Sequence, residues 1–330
     1  MTAQCRLCGS LVVRRWWHGP GLDTPDPEPF TLFRCAACGF GFVVPVPETV
    51  TAHALYPETF YRRAEAGRSP RNMFSRALAR YEALTAEERL RWLGPPTGDH
   101  RLLDVGCGNG AFLHGAARAG WKGVGVEPSG RSAEVAHAAY GVRVHYEPLE
   151  RTRLEPRSFE AVTFWHVLEH VADVRGTLRT ATALLRQGGK LVVSVPNFAG
   201  WECRLYRGHW ALFDVPRHVN FFTPSNLRTL LRELGLAIEA EWYFSREFNA
   251  PIAVQSLLNL ICSEPMFLYN LAKREYSWNG LNREGHGLRN LVVSVVAGAL
   301  LGPAAVALSV LASAVRKGSV YTVRARKNSP

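Results

Sequence analysis

The sequence predicts an α/β chain folded around a doubly wound sheet, on three observations. Arg101-Leu102-Leu103-Asp104-Val105-Gly106-Cys107-Gly108-Asn109-Gly110 reads as a buried strand and a glycine turn, followed by a helix from Ala111 to Ala119. A second strand, Gly123-Val124-Gly125-Val126, ends in Glu127, and strand and helix patterns then alternate as far as Val195. In the turn, Gly106, Gly108 and Gly110 remove every Cβ where the backbone bends sharply and a ligand must approach. The helix behind them offers unpaired N–H groups. A carboxylate at the second strand end can accept both hydroxyls of an adenosine ribose, as in doubly wound nucleotide folds. The turn alone would also suit a dinucleotide enzyme. Its spacing, however, is G-x-G-x-G directly after Asp104, not G-x-G-x-x-G.

Asp104-x-Gly106-x-Gly108-x-Gly110 followed by Gly125-Val126-Glu127-Pro128 resembles the first two motifs of class I S-adenosylmethionine (SAM) methyltransferases. Phe164-Trp165-His166-Val167-Leu168-Glu169-His170-Val171 resembles that family's turn after the fourth strand. Gln187 to Asn197 resembles its turn into the fifth. The resemblance implies a Rossmann-like seven-stranded sheet in the order 3-2-1-4-5-7-6. It also implies SAM as cofactor, held by Asp104, Gly106, Cys107, Gly108, Gly110, Glu127, Pro128, Leu149 and Trp165.

The length of 330 residues allows one large domain or two smaller ones, and 47% hydrophobic residues are ample for a core. The net charge is +11, from 34 Arg and only 5 Lys among the positive residues. These are spread along the chain and not gathered into a patch, so an Arg-biased composition is expected here, with no nucleic-acid partner. The polar start carries a Cys pair and no secretory signal. Paired Cys-x-x-Cys in such a context suggests a reducing, cytoplasmic setting and a metal, not disulfides.

Cys5-Arg6-Leu7-Cys8-Gly9 and Cys35-Ala36-Ala37-Cys38-Gly39 are two knuckles whose thiolates can turn onto one ion. Four thiolates favour tetrahedral Zn²⁺ and leave no open position for catalysis, so zinc is expected to be structural. A redox dithiol is the alternative reading. Leu11 to Val13 and Phe30 to Arg34 read as short strands between the knuckles, and Trp16 and Trp17 as the docking face. The arrangement resembles the zinc ribbon at the start of some small-molecule methyltransferases.

Val43 to Pro47 reads as a proline-rich connector, and Tyr56 to Tyr61 as an aromatic loop near the substrate entrance or an anchored surface loop. Arg71 to Leu93 has helical periodicity, with Phe74, Leu78, Tyr81, Leu84, Leu90 and Leu93 near one face over the cofactor cleft. Helices are expected over Gly130 to Tyr140, Asp173 to Arg186 and Pro224 to Leu234. Strands are expected over Val142 to Tyr146, Phe159 to Phe164, Lys190 to Val195, Ala237 to Tyr243 and Ser319 to Ala325. The mixed aromatic and polar segment Trp201 to Asn220 suits a substrate lid. Asn290 to Val315 carries no charge and is flanked by Arg289 and by Arg316-Lys317. Gly302-Pro303 near its middle suggests two short helices forming a hairpin. That hairpin either contacts a membrane or is buried, or forms a homodimer interface. The expected organisation is therefore a zinc ribbon (1–47), a helical connector (48–96), a SAM-binding core (97–244), an apolar helical insertion (245–318) and a last strand with a basic tail (319–330).

Methyl transfer needs alignment and removal of a proton from the acceptor. Pro216 to Pro224 resembles a block of zinc-ribbon methyltransferases, including those acting on deoxysugar nucleotides, in which the histidine reaches the active site. On that resemblance His218 is the first candidate base, against a structural hydrogen-bonding role, and His166 the second. His166-x-x-Glu169-His170 would share one helical face; it resembles the Glu-x-x-Glu-His by which some methyltransferases acting on adjacent hydroxyls bind a divalent ion, with His166 in place of the first Glu and His218 as the later ligand. Leu-Glu-His is common at this turn without metal, and no catalytic metal is expected. The function implied is methylation, with O-methylation favoured over C- or N-, of a small molecule such as a sugar, glycan precursor or secondary metabolite. An isoprenoid or lipid acceptor at the inner membrane face is the second reading. An RNA- or protein-binding module on a methyltransferase-like scaffold is the third.

Overall fold

The computed structural model describes residues 3–21, 29–46, 73–273 and 286–328. Tyr56 to Tyr61 and the side chains of Phe74 and Leu78 lie outside the described residues. In chain order the strands are β1 (Val13–Gly19), β2 (Phe30–Cys35), β3 (Gly41–Val44), β4 (Arg101–Val105), β5 (Lys122–Val126), β6 (Arg143–His145), β7 (Phe159–Trp165), β8 (Leu185–Pro196), β9 (Asn220–Phe221), β10 (Leu236–Trp242) and β11 (Val320–Lys327). The helices are α1 (Met73–Leu93), α2 (Ala111–Arg118), α3 (Gly130–Tyr140), α4 (Val174–Leu184), α5 (Trp201–Tyr206), α6 (Pro224–Glu233), α7 (Asn249–Leu258), α8 (Phe267–Lys273) and α9 (Gly287–Ala314).

Two compact units share the chain. One holds 1–50, 195–227 and 242–321; the other holds 51–194, 228–241 and 322–330. The second is organised by the seven-stranded sheet, ordered β6-β5-β4-β7-β8-β11-β10. This is the doubly wound order expected from the sequence. β6, β5, β4, β7 and β8 run parallel. Parallel strands covered on both faces read as continuous apolar runs, and β7 is buried at every position. The helices begin where local chemistry allows. Ser129 Oγ accepts the Ser132 N–H ahead of α3, and Asp173 Oδ1 accepts the Gly176 N–H ahead of α4. α4 stops at Leu184, and Leu185 to Gly189, expected to be helix and turn, already belong to β8. α1 buries Glu88, Trp92 and Leu93, while Tyr81 of the expected face is exposed.

The other unit contains a four-stranded sheet, β1-β2-β3-β9. β1 starts at Val13, so Leu11 and Val12 are exposed residues ahead of the strand. The stretch expected to be a connector is in part β3, which pairs antiparallel with β2 and with β9. A register shift between Arg15 and Trp17 marks a bulge in β1. A regular strand would send neighbouring side chains to opposite faces. The bulge lets both Trp16 and Trp17 reach Phe213, at ring-centroid distances of 5.9 and 4.8 Å. Trp16 also meets Phe198 at 5.0 Å.

That docking surface corrects the expected lid. Trp210, Phe213 and Tyr206 are buried in one cluster with Leu32, Val43 and Phe221, so the aromatic segment is core. The insertion is also corrected. Gly302-Pro303 does not divide the apolar run, because α9 is one continuous helix with Pro303 inside it. Its hairpin partner is α7. Asn249 at the start of α7 bonds Ser309 and Ser313, and Ser263 beyond its end bonds Asn290. The pair therefore runs out and back.

Candidate functional site

In the unit built on the seven-stranded sheet, the turn between β4 and α2 is tied to the end of β5. The Gly106 and Cys107 N–H groups both donate to the Val126 carbonyl, at 2.7 and 3.3 Å. Gly106, Gly108 and Gly110 have φ of 68, 52 and 77°, in the left-handed region that favours glycine. A Cβ at Gly106 would fall 2.5 Å from Val167 Cγ2, whereas one at Gly108 would meet nothing within 4 Å. The first glycine thus allows close packing, and the second leaves open space over the backbone. The Cys107 side chain turns inward against Gly125, where burial pushes its thiol pKa up. Its Sγ also lies 3.9 Å from the Gly108 carbonyl oxygen, so side chain and backbone both belong to the turn.

Glu127, at the end of β5, is almost fully buried. Its Oε2 accepts the Gly108 N–H at 3.0 Å and its Oε1 accepts the Ser129 N–H at 2.9 Å. These donors orient the carboxylate. Pro128 follows it and leads into the Ser129 cap. Asp104, next to the last residue of β4, is buried and accepts the Thr163 hydroxyl at 2.6 Å. Burial raises its pKa from 3.8 to about 7, against the lowering effects of that hydrogen bond and of Arg89. Parallel register places Thr163 beside Asp104. Leu149 is buried in a single turn of 3-10 helix at Leu149–Arg151.

Trp165, at the end of β7, lies among Trp92, Phe112 and the Arg89 guanidinium, with ring distances of 5.9, 5.3 and 5.3 Å. Among the described residues its buried Nε1 has no hydrogen-bond partner. An orphaned donor, a buried acceptor carboxylate and an open glycine backbone at the ends of adjacent strands fit a polar nucleoside ligand. Arg89, Trp92 and Thr163 were not singled out from the sequence. The strand register could have pointed to Thr163; nothing local points to the others.

His166 follows β7 with φ of 57°. Its Nδ1 donates to Glu169 Oε1 at 3.0 Å, and Ser194 Oγ lies 3.4 Å from its Nε2. Residues 168–170 form one 3-10 turn, not the α-helix expected. His166 precedes that turn with a left-handed backbone, and its ring is turned onto Glu169 by that bend rather than by α-helical spacing. His218 belongs to the other unit. It is buried, and its Nδ1 donates to the Leu212 carbonyl at 2.8 Å. That bond makes Nε2 the basic nitrogen of the neutral ring.

The same unit brings Cys5, Cys8, Cys35 and Cys38 together, with all four sulfurs within 4.8 Å of one another. Both knuckles close alike. Gly9 N–H donates to the Cys5 carbonyl and Gly39 N–H to the Cys35 carbonyl, with φ of 74 and 75° at the glycines. The Arg6 guanidinium donates to the Val43 carbonyl at 2.6 Å, fixing the first knuckle to β3.

A family model described as a methyltransferase domain matches residues 73–241, α1 through β10. The ubiquinone biosynthesis O-methyltransferase of Ralstonia nicotianae is 33% identical over 162 residues, covering 45% of this chain and 68% of the relative. That of Bordetella pertussis is 30% identical over 184 residues, covering 51% and 76%. Among solved structures, a SAM-dependent methyltransferase from Archaeoglobus fulgidus aligns with a TM-score of 0.47 and 17% identity, covering 75% of this chain and 94% of that one. Strand order, glycine turn, buried Glu127 and the family match agree: this chain belongs to the class I SAM-dependent methyltransferases.

Proposed function

We propose that the chain moves the methyl group of SAM to a hydroxyl oxygen of a small molecule, such as a sugar, a glycan precursor or another secondary metabolite. The oriented Glu127 carboxylate beside the open Gly108 backbone carries the cofactor half of this reading. The O-methyltransferase names of relatives about 30% identical support the acceptor atom. Glu127, Asp104, the 106–110 backbone, Pro128, Leu149 and Trp165 would hold SAM. When bound, SAM supplies an electrophilic methyl on a sulfonium leaving group. The protein's task is to align the acceptor and take its proton. His218 Nε2 is assigned the proton, because its Nδ1–H is already committed to a backbone carbonyl. His166, anchored on both ring nitrogens, is assigned to orienting the acceptor.

The four cysteines are assigned a structural Zn²⁺. A zinc tetrathiolate with bonds of ~2.3 Å puts its sulfurs roughly 3.8 Å apart. Cys5–Cys38 and Cys8–Cys35 are 3.7 and 3.6 Å apart. Reduced thiols for this ion suit a cytoplasmic location.

The test is transfer from isotopically labelled SAM into an extract of the source cell, split into small aqueous, organic and macromolecular pools. Label in the small aqueous pool, lost in His218→Ala, supports the reading. Label in the organic pool moves the acceptor to a lipid or lipid-linked molecule, the second reading, which the exposed apolar residues of α9 favour. Label confined to macromolecules overturns both. Full turnover in His218→Ala removes its base role, and turnover unchanged by a chelator excludes a catalytic metal.

A further inference from the structure

Helix α9 is built inside out. Its buried stripe is small and polar: Asn290, Ser294, Gly302, Ala305, Ser309 and Ala312. Its exposed stripe is large and apolar, including Leu288, Val292, Val295, Leu300, Val310 and Leu311, with Leu300 at 74% and Leu288 at 66% exposure. A helix of a water-soluble domain arranges these stripes the other way round.

The inner stripe is hydrogen-bonded to its neighbours at both ends, although the buried Asn290 Nδ2 has no partner among the described residues. Asn249 Nδ2 donates to Ser309 Oγ and Ser313 Oγ at 3.0 and 2.7 Å. The Ser263 N–H and hydroxyl donate to Asn290 Oδ1 at 3.2 and 3.1 Å. A Cβ on Gly302 would make ordinary van der Waals contact with Val254, at 3.6 Å. Close approach through small residues, hydrogen bonds as the adhesive and branched aliphatics turned outward is how helices pack when their surroundings are hydrocarbon.

Charge selects the occupant of the outer stripe. Arg289 is the one charged residue in α9, and the chain leaves the helix through Arg316 and Lys317. Basic residues thus bracket the apolar strip at both ends. A second copy of α9 would set basic ends against basic ends in either a parallel or an antiparallel pairing, which is repulsive. An anionic lipid surface complements both the strip and its ends. The chain leaves β10 at Trp242 and returns at Val320 to β11, its neighbour in the same sheet, so the segment holding α7 and α9 begins and ends at adjacent strands.

We propose that α9 is a monotopic membrane-docking element: its Leu/Val strip enters the hydrocarbon edge of a bilayer, and Arg289, Arg316 and Lys317 bind the phosphates of anionic lipids. The proposal stands on the helix alone and does not require the methyltransferase reading.

Flotation of the full chain with phosphatidylcholine vesicles, with and without phosphatidylglycerol, tests it. The wild type is expected to float with the vesicles, and more strongly with the anionic lipid. Val295→Asp/Leu300→Asp is expected to abolish flotation. Arg316→Gln/Lys317→Gln is expected to weaken binding to anionic vesicles by roughly fivefold for each basic residue removed. A melting shift on adding SAM shows that each variant is folded and reports the cofactor site separately from lipid binding. Wild-type protein that stays in the aqueous layer with both vesicles overturns the proposal, as does a double-Asp variant that floats like wild type. A wild-type dimer that Leu300→Asp dissociates, with no vesicle binding by either form, assigns the strip to a second copy instead.

Discussion

Asp104 is the residue on which the proposed cofactor site and the stability of the fold meet. Its carboxyl is held at about 7, chiefly by burial, while an exposed aspartate titrates near 3.8. A folded-state pKa above the unfolded value gives stability that is present in full below about pH 4 and is lost as pH rises through 7. Asp104→Asn keeps an acceptor for Thr163 and removes that penalty. Its melting temperature is therefore expected to exceed that of wild type at pH 8 and to match it at pH 4. SAM carries positive charge and would favour the ionised carboxylate. The SAM-induced melting shift of wild type is expected to grow between pH 5.5 and 8, and that of Asp104→Asn to stay flat. Equal pH dependence in the two proteins would dissociate Asp104 from cofactor binding. At Glu127, replacement by Gln keeps the shape but sets an NH₂ group against either the Gly108 or the Ser129 N–H. Loss of a charged acceptor costs about 1.5–3 kcal/mol, so titration of Glu127→Gln with SAM is expected to show roughly 10- to 100-fold weaker binding.

Elements with a short-range code were legible, and those decided by distant partners were not. The β4–turn–α2 unit is written in one run of residues, because an apolar strand, left-handed glycines and a helix start all lie within Arg101 to Arg118. The start of α6 is equally local. Thr223 Oγ1 accepts the Asn226 N–H while Asn226 Oδ1 accepts the Thr223 N–H, and proline occupies the first helical position. In β1 the alternation fails at the Trp16 bulge, and the apolar run Leu11-Val12-Val13 lies mostly ahead of the strand. Gly302-Pro303 carries a real local penalty, of about 3 kcal/mol for proline inside a helix. Packing along α7 outweighs it. The corresponding prediction is that Pro303→Ala raises the denaturation midpoint, since it restores the N–H that can bond the Ala299 carbonyl, while Asn249→Ala lowers it by stranding the Ser245 N–H donor. A Pro303→Ala midpoint below that of wild type would mean that the proline ring itself is part of the packing.

At the scale of the whole molecule, long sequence separation hid what the knuckles are for. β3 pairs with β9 from across the chain, and Arg6 reaches the carbonyl of Val43 and, at 3.4 Å, that of Val219. The aromatic segment that reads as a polar lid is buried because these distant partners cover it. The cysteine cluster therefore closes more than a small ribbon. It fixes the starts of β1 and β3, on which Trp16, Trp17, Val43 and the buried rings of Trp210 and Phe213 depend. Structural zinc can supply on the order of 10 kcal/mol of folding free energy, far more than a short three-stranded ribbon gains from its own core. Metal analysis of the purified chain is expected to find one zinc per molecule. Cys8→Ser is expected to lose that zinc, to melt well below wild type and to weaken the near-ultraviolet circular dichroism of the packed tryptophans. On the proposed assignment SAM is held by the β4 turn and Glu127 in the other unit, so at temperatures below the melt its affinity is expected to change little. A zinc-free wild type, or a Cys8→Ser variant with the melting temperature and dichroism of wild type, would mean that the hydrophobic cluster holds this unit together without a metal.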